Sequence, residues 1–107
     1  MPSIIKVYSK LTKSLEKSLY ECFGNKDFNL ELTRPTQSDN GDITTNICLK
    51  LSKQLGKNPI ELAKQLLAHL QLPEELSKVE IKGPGFLNFF IAHSYLAEYL
   101  TDFAGHE

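Results

Sequence analysis

Apolar residues recur along the start of the chain at steps of four and three. Ile4, Tyr8, Leu11, Leu15, Leu19 and Cys22 fall on one face of a helix that stops before Gly24. Lys6, Lys10, Lys13 and Lys17 form a second stripe at the same spacing. Its two readings are a solvated face and a weak phosphate-facing surface. The period then changes to two. Phe28, Leu30 and Leu32 alternate with Asn29, Glu31 and Thr33, which predicts a half-buried strand stopped by Pro35. Residues 36–42 are turn formers. A second short strand has room within or after that loop, but no pattern places it.

Ile43, Ile47, Leu51 and Leu55 return to steps of four. They predict a helix capped by Asp42 or Thr44 and ended by Gly56. Asn58, Pro59 and Glu61 are a cap, a first-turn proline and a first-turn acid, so another helix begins there. Its expected apolar face is Ile60, Ala63, Leu66, Leu67 and Leu70, and Pro73 ends it. Val79 and Ile81 alternate with Glu80 and Lys82, and 86–91 is a second, aromatic strand. Gly83-Pro84-Gly85 between them predicts a hairpin with a slightly wide turn. A last helix carries Leu96, Leu100 and Phe103 inward. Clustered strands with helices on either side in sequence imply one α+β domain over 1–107: two layers, an antiparallel sheet of about four strands, helices on one face. The half-polar strands fit a sheet wetted on its other face.

Successive side chains of a strand point to opposite faces. Leu87, Phe89 and Ile91 therefore share an apolar face that belongs to a core. Phe86, Asn88 and Phe90 share the other. An amide set between two phenyl rings fits burial, with Asn88 satisfying a backbone group. It also fits base recognition, in which a ring stacks and an amide bonds the base edge. A third use of the same face is a docking surface for a partner protein, built on Phe86 with Phe90.

Composition narrows the choice. A chain of 107 residues with 41% hydrophobic and 23% charged residues suffices for one core and is ordinary for a globular domain. No apolar run approaches the roughly 20 residues of a membrane span. The start, Met1 to Lys6, lacks the apolar stretch of a secretion signal. Cys22 and Cys48 have neither CxxC spacing nor a nearby histidine, which reads as reduced thiols of a cytoplasmic protein. The net charge of −1 excludes a generic phosphate-coating protein. Ten Lys/Arg face seven Asp/Glu in residues 1–64, and two face six in 65–107, so any nucleic-acid contact has to be local.

No catalytic constellation emerges. His69, His93 and His106 have no carboxylate or thiol at metal-ligand or nucleophile spacing, and read as surface or capping histidines. Glu74-Glu75 reads as helix-start acids rather than an acid/base pair. Neither GxxxxGK[ST] nor GxGxxG occurs, and Pro84 removes a donor that a phosphate cradle would need. No metal or catalytic residue is expected.

Three stretches together carry a resemblance: Gly41-Asp42-Ile43-Thr44-Thr45-Asn46, Leu55-Gly56-Lys57-Asn58-Pro59, and Gly83-Pro84-Gly85-Phe86-Leu87-Asn88-Phe89. In this order and at these separations the chain resembles the N-terminal additional domain of arginyl-tRNA synthetase, over residues 4–103. Ile43 departs from the pattern, which more often has an aromatic residue after Gly-Asp. The resemblance implies a helix, two strands, helix, two strands core. It implies a module that contacts the D-loop at the elbow of arginine tRNA, ahead of its own catalytic domain. The family's base-contacting aromatic and amide fall on Phe86 and Asn88, preceded by the Gly83, Pro84, Gly85 turn. The HIGH-like and KMSKS-like signatures of a class I arginine–tRNA ligase are absent here. ATP and arginine are accordingly expected on the catalytic domain, the present chain being a non-catalytic piece with no cofactor, no membrane and no DNA partner.

Overall fold

The computed structural model describes residues 4–24, 30–35 and 41–92. Six elements follow in order: helix α1 (Ile4–Phe23), strand β1 (Ile43–Thr45), helix α2 (Ile47–Leu55), helix α3 (Pro59–His69), strand β2 (Leu76–Lys82) and strand β3 (Phe86–Ile91). The strands form an antiparallel sheet in the order β1-β3-β2, with helices on one face. The expected α+β architecture therefore holds. The expected last helix and residues 28–29 lie outside the described residues.

The core is one cluster shared by both layers. Val7, Leu11, Leu15 and Leu19 of α1 meet Ile47 and Leu51 of α2, Leu62, Ala63 and Leu66 of α3, and Ile43, Leu87, Phe89 and Ile91 of the sheet. Helix α1 buries the four-residue row that begins at Val7, while Tyr8 is only half-buried. Small residues let α1 and α3 approach closely. The Ser18 hydroxyl donates to the Leu66 carbonyl at 2.7 Å, and the Cys22 thiol donates to the Gln65 carbonyl at 3.6 Å. On α3 the Asn58 carboxamide oxygen accepts from Ile60 N–H at 2.8 Å, as its cap position requires. Ile60 and Leu55, expected inside, are exposed, because the helix faces are centred on Leu62 and Leu51 instead.

Two expectations need correction. Residues 43–45 are a strand, and α2 starts only at Ile47 behind Asn46. Ile43-Thr44-Thr45 is a run of β-branched residues, which suits a pleated strand better than a first helical turn. Asp42 caps no helix; its carboxylate accepts from Ile91 N–H at 2.8 Å. The strand expected over 28–33 reduces, among the described residues, to one bridge. Thr33 and Thr44 exchange backbone bonds at 2.9 and 2.8 Å, so residues 30–35 run beside β1 in the place of a fourth strand. With β1 only three residues long, little ladder is available to them.

Glycines explain two of the three motif stretches. At Gly41 (φ +85°) an added Cβ would lie 2.7 Å from the Phe89 carbonyl oxygen. Only a bare backbone lets Asp42 N–H reach that oxygen, at 2.8 Å, and clip the loop to β3. At Gly85 (φ +141°) a Cβ would lie 2.9 Å from Cβ of Pro59. The hairpin turn thus rests on the first turn of α3.

Glu74 and Glu75 precede a strand, not a helix. The Glu75 side chain is 6% exposed and takes the Lys10 ammonium at 2.5 Å. That hydrogen bond holds its carboxyl below the usual range. A depressed carboxyl contributes stability above its unfolded value, which is lost as pH falls through the lower folded value. Glu75→Gln should therefore cost about 1–3 kcal/mol near neutrality, between exposed and buried pairs. It should also flatten the acid limb of a thermal-unfolding series below pH 4.5, the free carboxyl's value. An unchanged acid limb would show that the pair contributes nothing.

Candidate nucleic-acid interface

Strand pairing fixes which side chains share the face away from the helices. Register places Thr44 opposite Asn88 and Asn88 opposite Glu80. Lys82 lies opposite Phe86 at the turn end, and Lys78 opposite Phe90 at the other end. The face expected from alternation is thus assembled, with two lysines and one carboxylate added by β2. Glu80 lies 3.3 Å from the Lys78 ammonium and 3.9 Å from that of Lys82.

The three residues of the face differ sharply in access. Phe86 is 38% exposed, although it begins a central strand. The Gly83-Pro84-Gly85 turn holds it there, with Gly85 N–H donating to the Lys82 carbonyl at 3.3 Å. Asn88 is 3% exposed. Its carboxamide oxygen accepts from the Thr44 hydroxyl at 2.6 Å. Phe90 is half-buried beneath Lys78, whose ammonium stands 4.5 Å from the ring centroid.

Phe86 borders two clefts. The larger, of 350 Å³, is lined by Pro35, Thr44, Lys82, Gly83, Pro84, Phe86 and Asn88. That size falls at the lower end of small-ligand sites, about 300–1,000 Å³. The smaller, of 140 Å³, adjoins Glu31, Thr33, Thr44, Thr45, Asn46 and Phe86. The cleft therefore gathers Phe86, Asn88 and two residues of the turn, together with Thr44, Lys82 and Pro35, which sequence reasoning did not single out. Pairing β1 with β3 is what brings Thr44 in. The β-branched run at 43–45 was the local signal for it.

The lysine stripe of α1 lies elsewhere. Lys10 is engaged by Glu75, just before β2, whereas Phe86 stands beyond its far end, about 20 Å of strand away. Lys6, Lys13 and Lys17 are exposed on α1. Among the described residues no group of His, Cys, Asp and Glu could hold a metal. His69 is exposed, 3.8 Å from Glu21, and His93 and His106 lie outside the described residues. Burial pushes the Cys48 thiol up to about 12, so it is inert at neutral pH, while Cys22 is partly exposed. No described helix is long and apolar enough to cross a membrane.

The described residues thus form a two-layer α+β domain with a cleft on its open sheet face. Its family is also defined. Residues 9–91 match the model of the arginyl-tRNA synthetase N-terminal domain, and the chain belongs to that family. Over 103 residues it is 37% identical to an arginine–tRNA ligase of Shewanella oneidensis, covering 94% of this chain and 18% of the relative. A Carboxydothermus hydrogenoformans arginine–tRNA ligase is 38% identical over 72 residues, 67% of this chain and 13% of the relative. The Thermus thermophilus arginyl-tRNA synthetase structure superposes with a TM-score of 0.72 at 27% identity, over 84% of this chain and 15% of that one. The Plasmodium falciparum enzyme gives the same score at 14% identity, which concerns the fold alone. The chain thus spans less than one-fifth of the length of these relatives.

Proposed function

We propose that this domain binds arginine tRNA as the N-terminal module of a cytoplasmic arginine–tRNA ligase, and that it reads the D-loop at the tRNA elbow. Phe86 carries the reading: a phenyl ring left 38% exposed at a cleft mouth, in a chain of this family. It stacks on a splayed-out base, while the Asn88 amide bonds the base edge. Gly83 and Pro84 form the rim against which the nucleotide lies, and Gly85, seated on Pro59, holds that turn in place. Lys82 and Lys78 meet neighbouring phosphates, and the α1 lysines, Lys6, Lys13 and Lys17 foremost, add a weaker, separate contact. Attachment of arginine, with binding of ATP and arginine, belongs to the catalytic domain of the full-length class I ligase. A protein partner is the poorer occupant, because lysines of β2 flank both rings and break up the apolar patch it would cover.

Footprinting arginine tRNA with the intact ligase tests this reading. Protection of D-loop nucleotides that weakens steeply with added salt is expected. A D-loop as reactive in the complex as in free tRNA would refute it.

A further inference from the structure

We propose that Thr44 is a positioning residue that sets the base preference of the cleft, by locking the Asn88 amide with its NH2 group toward the bound base. The proposal rests on the base-reading role of Phe86 and Asn88 and extends it. The Thr44 hydroxyl oxygen lies 2.6 Å from Asn88 Oδ1 and 3.2 Å from the Leu87 carbonyl oxygen. A hydroxyl has one proton to donate. A separation of 2.6 Å suits O–H···O, whereas N–H···O bonds centre on about 2.9–3.0 Å. The proton therefore goes to Asn88 Oδ1. Turning the amide over would press its nitrogen to a distance that an N–H donor does not favour.

The two ends of a carboxamide are chemical opposites, one accepting and one donating. Thr44 occupies the accepting end. No further hydrogen bond engages the Asn88 side chain among the described residues. Nor is its nitrogen a sealed orphan, since the buried unpartnered side-chain atom among them is Glu75 Oε1. Asn88 lines the larger cleft, so what it offers there is N–H. At 3% exposure the amide has little room to re-aim. The cleft accordingly accepts a base edge that presents a ring nitrogen or keto oxygen opposite Asn88. An exocyclic amine at that point would set donor against donor and leave both unpaired.

The test uses the full-length ligase with Thr44→Val and Thr44→Ser. Its substrates are arginine tRNAs carrying analogues of the preferred D-loop base, each lacking one ring or carbonyl acceptor or the exocyclic amine. For the wild type, removal of one acceptor should lower kcat/KM about 10-fold through KM, and removal of the amine should leave it unchanged. Thr44→Val should shrink that discrimination to within about threefold with kcat preserved, and Thr44→Ser should restore it. A wild type sensitive to the amine rather than an acceptor would overturn the proposal. So would a folded Thr44→Val that discriminates fully. Phe86→Ala separates the two levels. If it leaves the KM for tRNA unchanged, the base-reading role itself falls. If it impairs KM while Thr44→Val keeps its discrimination, only the role of Thr44 falls.

Discussion

Phe86→Ala in the full-length ligase is expected to raise the KM for arginine tRNA about 5- to 150-fold while kcat, the KM for arginine and that for ATP stay near wild type. The range is the roughly 1–3 kcal/mol of one base–aromatic stack, at about 1.4 kcal/mol per decade. The ring is exposed and borders two clefts, so its loss removes little packing. The variant's thermal midpoint should thus stay within a few degrees of wild type. Asn88→Ala should act on the same parameter through the base edge, by about 1–3 kcal/mol of discrimination. It carries a structural cost as well, because it strips the Thr44 hydroxyl of its close partner. Aminoacylation kinetics on both variants check the assignment, and wild-type KM values in both would remove Phe86 and Asn88 from the site.

Phe89→Ala should do the opposite: take away a large part of the domain's stability rather than its binding surface. Phe89 is fully buried between Ile43 and Val79 at the centre of the sheet, against the helical layer. Truncating a phenylalanine in such a place costs about 3–5 kcal/mol. A domain of this size has only about 5–15 kcal/mol of net stability. At about 4–8 °C per kcal/mol, the midpoint should fall by tens of degrees in a thermal melt followed by circular dichroism. Phe90→Ala, one residue on and facing the other way beside Lys78, should cost no more than about 1 kcal/mol. Equal losses at the two positions would mean that the faces of β3 are wrongly assigned.

That contrast between neighbours was legible in the sequence, because alternation along 86–91 needs no tertiary information. The turn before it was equally plain, since Gly83-Pro84-Gly85 has few other uses. Helix α1 was legible from steps of four sustained over five turns, though Val7 is buried where Tyr8 was expected to be. Spacing misled at Ile43. It stands four residues before Ile47, as in a helix, yet one lies in β1 and the other in α2. Strand β2 begins at Leu76, three residues before the alternation shows, because a bulge between Leu76 and Lys78 breaks the period.

Long-range pairs were out of reach of any local pattern. Lys10 meets Glu75 across 65 positions, which ties a half-exposed lysine of a solvated stripe to a buried carboxylate. Thr44 meets Asn88 across 44 positions, which gives the amide oxygen a hydroxyl partner that no local pattern announces. That Phe86 and Asn88 share one face was thus readable, but the partner of the amide was not. That depends on which strand lies beside β3.

The most direct measurement is a nucleotide-resolution footprint of arginine tRNA, bound at saturation to the full-length ligase and to its Phe86→Ala variant. With Phe86 stacked on a D-loop base, the wild type should protect that loop, and the variant should expose it while protecting the acceptor stem as before. Equal D-loop protection by the two proteins, or none by either, would contradict the assignment of this sheet face to tRNA.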